Sequence, residues 1–179
     1  MTITAELQSI SSQDGDGSIA KGIHREVITF SAVGVNAGAG IGAVNYQLKP
    51  DQSGALIVFN SLTGNLVTLP TPVRGMWFEF INQIAATSVE TKVITNDITA
   101  EFILGSVIQG SATITQSMDV FTADGTSNHV SISMNVHTAA TGGAVGNHFI
   151  MTAISATQWY IKGMLQVSGG DATDPFAAS

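Results

Sequence analysis

From His129 to His137 the chain alternates without a break. Val130, Ile132, Met134 and Val136 fall on one parity, and His129, Ser131, Ser133, Asn135 and His137 on the other. A period of two belongs to an extended strand, whose successive side chains leave opposite faces. The spacing therefore predicts a strand with one buried face and one polar face. No run of period 3.6 persists over several turns to oppose it with a helix.

The rest of the chain from Ala55 onward reads the same way. Ala55–Phe59 is a short apolar run between Gly54 and Asn60, and Asn65–Leu69 ends at Pro70. Met76, Phe78 and Phe80 alternate with Trp77, Glu79 and Ile81, which predicts a strand covered on both faces. Val89–Ile94 alternates, Phe102–Ile108 is apolar with Gly105 as an expected kink, and Ala112–Thr115 and Met118–Phe121 are shorter pieces. His148–Ala153 and Trp159–Val167 complete the set, with turn signals at Asp124-Gly125, Gly142-Gly143 and Gly146-Asn147. Many short strands between turn residues predict an all-β fold, a compact sandwich or jelly-roll-like domain.

Upstream of this body the pattern fades. Residues 1–22 are polar and rich in Ser, Gly and Asp, and residues 23–54 hold one short apolar stretch, Val27-Ile28-Thr29-Phe30, followed by the Gly/Ala run Gly34–Ala43. The expected division is residues 1–54 as an extended, flexible N-terminal arm and connector, and residues 55–179 as the β domain with its C-terminal tail.

A chain of 179 residues without cysteine makes one domain that buries its own core, with disulfides, thiolate metal sites and cysteine nucleophiles excluded. The formal net charge of −7 argues against a nucleic-acid surface, which needs clustered Lys and Arg. Only 11% of residues are charged, against about 25% in an average soluble domain. No apolar run approaches the ~18 residues of a membrane helix. An apolar, weakly charged chain suits a protein packed against copies of itself or a partner. Met1–Glu6 carries no basic residue and no apolar stretch of signal-peptide type, so synthesis and folding inside a cell without processing is the expectation.

Motifs for chemistry fail on spacing. Gly38-Ala39-Gly40-Ile41-Gly42 lacks the third glycine position and the following helix of a dinucleotide loop. Asp14-Gly15-Asp16-Gly17-Ser18 opens like a calcium loop, but its sixth and twelfth positions hold Ile19 and Arg25. His129 and His137 lie too far apart on one strand to chelate one ion. No Gly-x-Ser-x-Gly elbow occurs, and no carboxylate pair sits in an apolar setting. Trp77, Phe78 and Phe80 read as core, with Arg74 the one basic residue nearby. The expectation is a protein that is not an enzyme and has no catalytic residue, metal or cofactor.

The stretch Ser61–Leu69, then Pro70-Thr71-Pro72-Val73-Arg74-Gly75-Met76-Trp77-Phe78-Glu79-Phe80, resembles a pattern of tailed-bacteriophage virion proteins: a Thr-x-Pro turn, a Gly and an aromatic-alternating strand. Phe121–Asn128 leading into the alternating strand, Thr141-Gly142-Gly143, Gly146 and Trp159-Tyr160-Ile161-Lys162-Gly163 continue the likeness to Gly169-Gly170-Asp171-Ala172-Thr173-Asp174-Pro175-Phe176. Ile161 stands where the pattern has Val, and Asp174 where it has Thr. The likeness runs from about residue 55 to the end.

The resemblance implies a capsid decoration or cement protein, bound to the outer surface of the head and bridging capsid subunits against internal pressure. It implies the major capsid protein and copies of itself, as a homotrimer, for partners, and a place on the virion surface after synthesis in the host cytoplasm. Neither nucleic acid nor membrane is an expected partner. The expected assembly contacts are Val27, Ile28, Phe30, Tyr46, Trp77, Trp159 and Phe176, with Val27–Phe30 adding a strand to a neighbour's sheet edge. The alternatives are a tail, fibre or receptor-binding component that recognises host surface glycans, and a small β-domain enzyme or lectin unrelated to phage.

Overall fold

A computed structural model describes residues 25–31, 45–62, 64–85, 90–111, 118–135, 140–167 and 172–178. The expected arm at 1–22, the Gly34–Ala43 run and the Ala112–Thr115 strand lie outside them. Twelve strands are formed among the described residues: β1 (Val27–Ser31), β2 (Asn45–Gln47), β3 (Leu56–Asn60), β4 (Leu66–Thr68), β5 (Trp77–Asn82), β6 (Thr91–Ile94), β7 (Phe102–Ser111), β8 (Met118–Asp124), β9 (Ser131–Met134), β10 (His148–Ala153), β11 (Gln158–Val167) and β12 (Phe176–Ala177). A single 3-10 turn at Pro50–Gln52 joins them, and the described residues include no α-helix.

The strands make two sheets, β1-β3-β5-β10-β11-β7-β8 and β12-β9-β6-β4-β2, packed face to face. The fold is the expected all-β sandwich. Half of its ten strand pairings are parallel, which separates it from an antiparallel jelly roll.

Four of the five parallel pairings have one cause, the fifth being β7 with β11. From β1 to β7 the chain changes sheet at every strand, so β1, β3 and β5 stack side by side in one sheet while β2, β4 and β6 stack in the other. Leu56 pairs with Val27 on one side and Glu79 on the other, and Leu66 pairs with Asn45 and with Lys92. The first half of the body is thus a short parallel coil, in which each strand's crossover runs through the opposite sheet. The later strands close it with antiparallel pairs β5–β10, β10–β11 and β7–β8.

This topology moves the expected boundary at residue 55. β1 and β2 are strands of the sandwich, so residues 25–31 and 45–54 belong to the body and not to an arm. Val27–Ser31 pairs in parallel with β3 of its own chain, and Ile28 and Phe30 are buried in its own core. The strand expected to be donated to a neighbour is used at home, because only there do its two apolar side chains find the core.

An aromatic ladder holds the seven-stranded sheet to its partner. Phe30 stacks on Phe59 at 6.0 Å between ring centroids, Phe59 on Phe80 at 6.1 Å, and Phe80 on Phe149 at 4.8 Å. Tyr46 of the opposite sheet meets Phe30 edge to face at 5.3 Å. Farther along, Phe78 packs against Trp159. Each ring belongs to the inward parity of its strand, so alternation alone delivers all of them to the interior.

Two strands depart from the sequence reading. β9 was expected to show a polar face to solvent, yet Ser131, Ser133 and Asn135 are buried along with Ile132 and Met134. β9 is an inner strand between β6 and β12, and the C-terminal segment lies along it: Ser133 N–H donates to Pro175 O at 2.8 Å and Ser131 Oγ to Ala177 O at 3.3 Å. The Ser131 hydroxyl tolerates that burial because a backbone carbonyl accepts its hydrogen bond. On β5, by contrast, only one face is covered. Phe78, Phe80 and Asn82 are buried, whereas Trp77 is exposed and Glu79 and Ile81 are half-buried.

Candidate interaction surface

The inward parities of the seven-stranded sheet are spent on the core, so the outward parities define the face left over. Register places Val120, Ile108, Met164, His148, Ile81, Val58 and Thr29 in one row across all seven strands. The neighbouring row is Thr122, Ser106, Lys162, Ile150, Glu79, Leu56 and Val27. Large apolar side chains stand on this outer face among polar ones such as His148, Lys162 and Glu79. Val27, Trp77, Ile108, Met118, Val120, Tyr160 and Met164 are all exposed on it. Exposed apolar side chains gathered on one face make this the candidate surface for contact with a partner.

At the β1 end the face carries a charged clasp. Arg25, just ahead of β1, donates from Nε to Gly54 O at 2.5 Å and from Nη2 to Ala55 O at 3.0 Å, and its Nη1 pairs with Glu79 Oε2. Its guanidinium lies over the Trp77 ring, 4.7 Å from the centroid. The other Glu79 oxygen meets His148 Nε2 from β10. Burial alone would raise the Glu79 pKa, but the hydrogen bonds and charges of Arg25 and His148 outweigh it and hold the carboxyl below its usual value. The clasp ties the entry of β1 to β3 and β5, where a parallel edge strand needs it.

A pH dependence follows. A carboxyl whose folded pKa is depressed contributes stability above its unfolded pKa, and that contribution is lost as pH falls through the folded value. Glu79→Gln is therefore expected to cost about 1–2 kcal/mol at pH 7. The gap between wild type and variant should begin to shrink near pH 4.5, the ordinary carboxyl value, and close only below the lowered folded value. Urea unfolding of both proteins between pH 7 and pH 3 checks this, and a constant gap would exclude the clasp as its source.

A second titratable pair sits at the opposite edge. His129 Nδ1 and Asp124 Oδ1 are 2.7 Å apart, and Thr126 Oγ1 donates to the same oxygen at 2.7 Å. Hydrogen bonds from Thr126 first and His129 second hold the Asp124 carboxyl below its usual value. The His129 ring meets Phe176 edge on, at 6.0 Å. This arrangement staples the β8–β9 turn to the C-terminus. Among the described residues no three His, Asp or Glu side chains gather in a way that would hold a metal ion.

The seven expected contact residues divide sharply. Ile28, Phe30, Trp159 and Phe176 are buried in the chain's own core and are not available to a partner. Tyr46 is partly buried against that core, at the Phe30 ring. Val27 and Trp77 are exposed, both on the outer face of the seven-stranded sheet. The residues that sequence reasoning missed are Met118, Val120, Ile108 and Met164. A signal for Met164 existed: on β11 the parity of Gln158, Tyr160, Lys162 and Gln166 is the polar one, so Met164 belongs outside and Trp159 inside. Compared with known protein families, curated proteins and solved structures, the chain matches none of them.

Proposed function

We propose that this protein is a structural component of a tailed-phage virion, a decoration protein that works in several copies on the outer surface of the head and bridges capsid subunits. The observation that carries the reading is the outer face of the seven-stranded sheet, where large apolar side chains stand exposed on a chain with 11% charged residues. A surface of that kind is suited to being covered. Symmetric copies turn weak individual contacts into a large sum, which is how a small sandwich can reinforce a shell. The resemblance of residues 55–179 to phage virion proteins supplies the setting, with the major capsid protein as partner and a homotrimer as the proposed assembly.

The resembling segments do recognisable structural work. Thr71-Pro72 and Gly75 form the turn that launches β5, and Trp159–Gly163 is the start of β11. The motifs therefore describe a scaffold, and the sequence between them decides what the scaffold binds. Separating heads from tails in particles of the source phage tests the reading. The protein should travel with the heads. Its recovery with tails would favour a fibre or glycan-binding component instead.

A further inference from the structure

We infer that the strip formed by Met118 and Val120 of β8, Ile108 of β7 and Met164 of β11 is the surface through which copies of this chain associate. This rests on the reading above that the chain works in copies, and not on which particle it decorates.

Three features of the strip favour a second copy over a different partner. First, it is apolar and uncharged. Met118 is 70% exposed, Val120 64%, Met164 60% and Ile108 39%, and register makes Val120, Ile108 and Met164 direct neighbours on three adjacent strands. Two chains of net charge −7 repel overall, and a strip whose exposed side chains are uncharged opposes contact least. Second, opposite signs stand beside it on the same face. Lys162 of β11 is exposed one row away, and Asp124 of β8 is exposed one row beyond that. A copy turned over the strip about an axis along the strands brings Asp124 of one chain towards Lys162 of the other.

Third, β8 is an edge strand. Among the described residues β7 is its only hydrogen-bonded strand neighbour, and it carries neither lysine nor proline, two of the residues that guard a long edge. Seven residues of edge are available, against five on β1, three on β2 and two on β12. Two unbranched methionines also let matching surfaces adjust to each other, and methionine is enriched where interfaces are fully covered.

The test is sedimentation velocity on the full chain over a range of concentrations. The wild type should sediment above monomer mass at tens of micromolar, on the order of the affinity expected for a small apolar contact. Val120→Glu with Met164→Glu should sediment as a monomer, with an unchanged far-UV circular dichroism spectrum. Val120→Ser with Met164→Ser should weaken association at least tenfold, and it serves if the charged pair fails to fold. Val73→Glu, exposed in the β4–β5 turn, should keep the wild-type mass. A monomeric wild type would overturn the inference, as would retained mass in both double variants or equal loss in Val73→Glu. Association without presence on heads would instead overturn the proposed function and leave this inference standing.

Discussion

Replacing Phe80 with alanine should lower stability by about 3–5 kcal/mol, the largest loss expected from any single truncation in the core. Phe80 is fully buried at the centre of the ladder, with Phe59 at 6.1 Å on one side and Phe149 at 4.8 Å on the other, both rings nearly parallel to it. Removing the ring deletes its transfer free energy and both stacking contacts, and it leaves a cavity that three strands of the same sheet cannot close by moving. A domain of this kind has about 5–15 kcal/mol in all, so the variant should be marginal. At about 2–4 °C per kcal/mol the melting temperature should fall by roughly 6–20 °C. Tyr160→Ala, on the exposed face of β11, should stay within about 1 kcal/mol of wild type. Urea denaturation of the three proteins decides the matter. Equal losses at Phe80 and Tyr160 would mean that the ladder is not the spine of the core.

The second large effect is expected at two glycines where strands cross closely. At Gly163 on β11, a methyl group would press into Phe149 Cβ and lie 2.5 Å from His148 O and 2.6 Å from Phe149 Cα. Those are atoms of β10, the strand hydrogen-bonded alongside, and two of them are backbone. No rotamer change relieves the clash, so the β10–β11 pairing must shift or break. At Gly105 on β7, a methyl group would run into the Ile161 carbonyl oxygen, and the backbone there has φ +128°, which side chains rarely adopt. Gly163→Ala and Gly105→Ala should each prevent accumulation of soluble folded protein. Gly110→Ala, also on β7, meets nothing within 4 Å and should fold normally. Soluble yield and circular dichroism of the three variants provide the comparison, and a well-folded Gly163→Ala would contradict the β10–β11 register.

These positions also explain how far the sequence could be read. β3, β5, β10 and β11 were legible within a residue or so, because alternation is local and each strand is bounded by Gly, Pro or Asn. At Gly105, where a kink is expected, the backbone has φ +128° while β7 keeps unbroken register with β8 and β11. What stayed hidden is non-local. A parallel coil pairs β1 with β3 across 29 positions and β3 with β5 across 23, so no fixed repeat length appears in the sequence. Without a repeat, the apolar stretch Val27–Phe30 stood isolated next to the Gly/Ala run and was assigned to an arm.

The site was less legible than the fold. Size suggested Trp159 and Phe176 as contacts, whereas parity put Trp159 in the core and pairing with β9 put Phe176 there. On β8 both parities are apolar, with Met118 and Val120 on one and Phe121 and Ala123 on the other. Alternation therefore could not say which side faces out. Only the pairing with β7 decides it, by matching Phe121 to the buried Val107 and Val120 to the exposed Ile108. The clasp of Arg25, Glu79 and His148 escaped for the same reason, since it joins residues brought together from three separate segments.

The most direct measurement of the proposed role is the number of copies of this chain per purified particle, by quantitative mass spectrometry against the major capsid protein. A decoration protein should be present in hundreds of copies, in fixed proportion to the capsid subunit. A handful of copies per particle, or none, would contradict a role on the head.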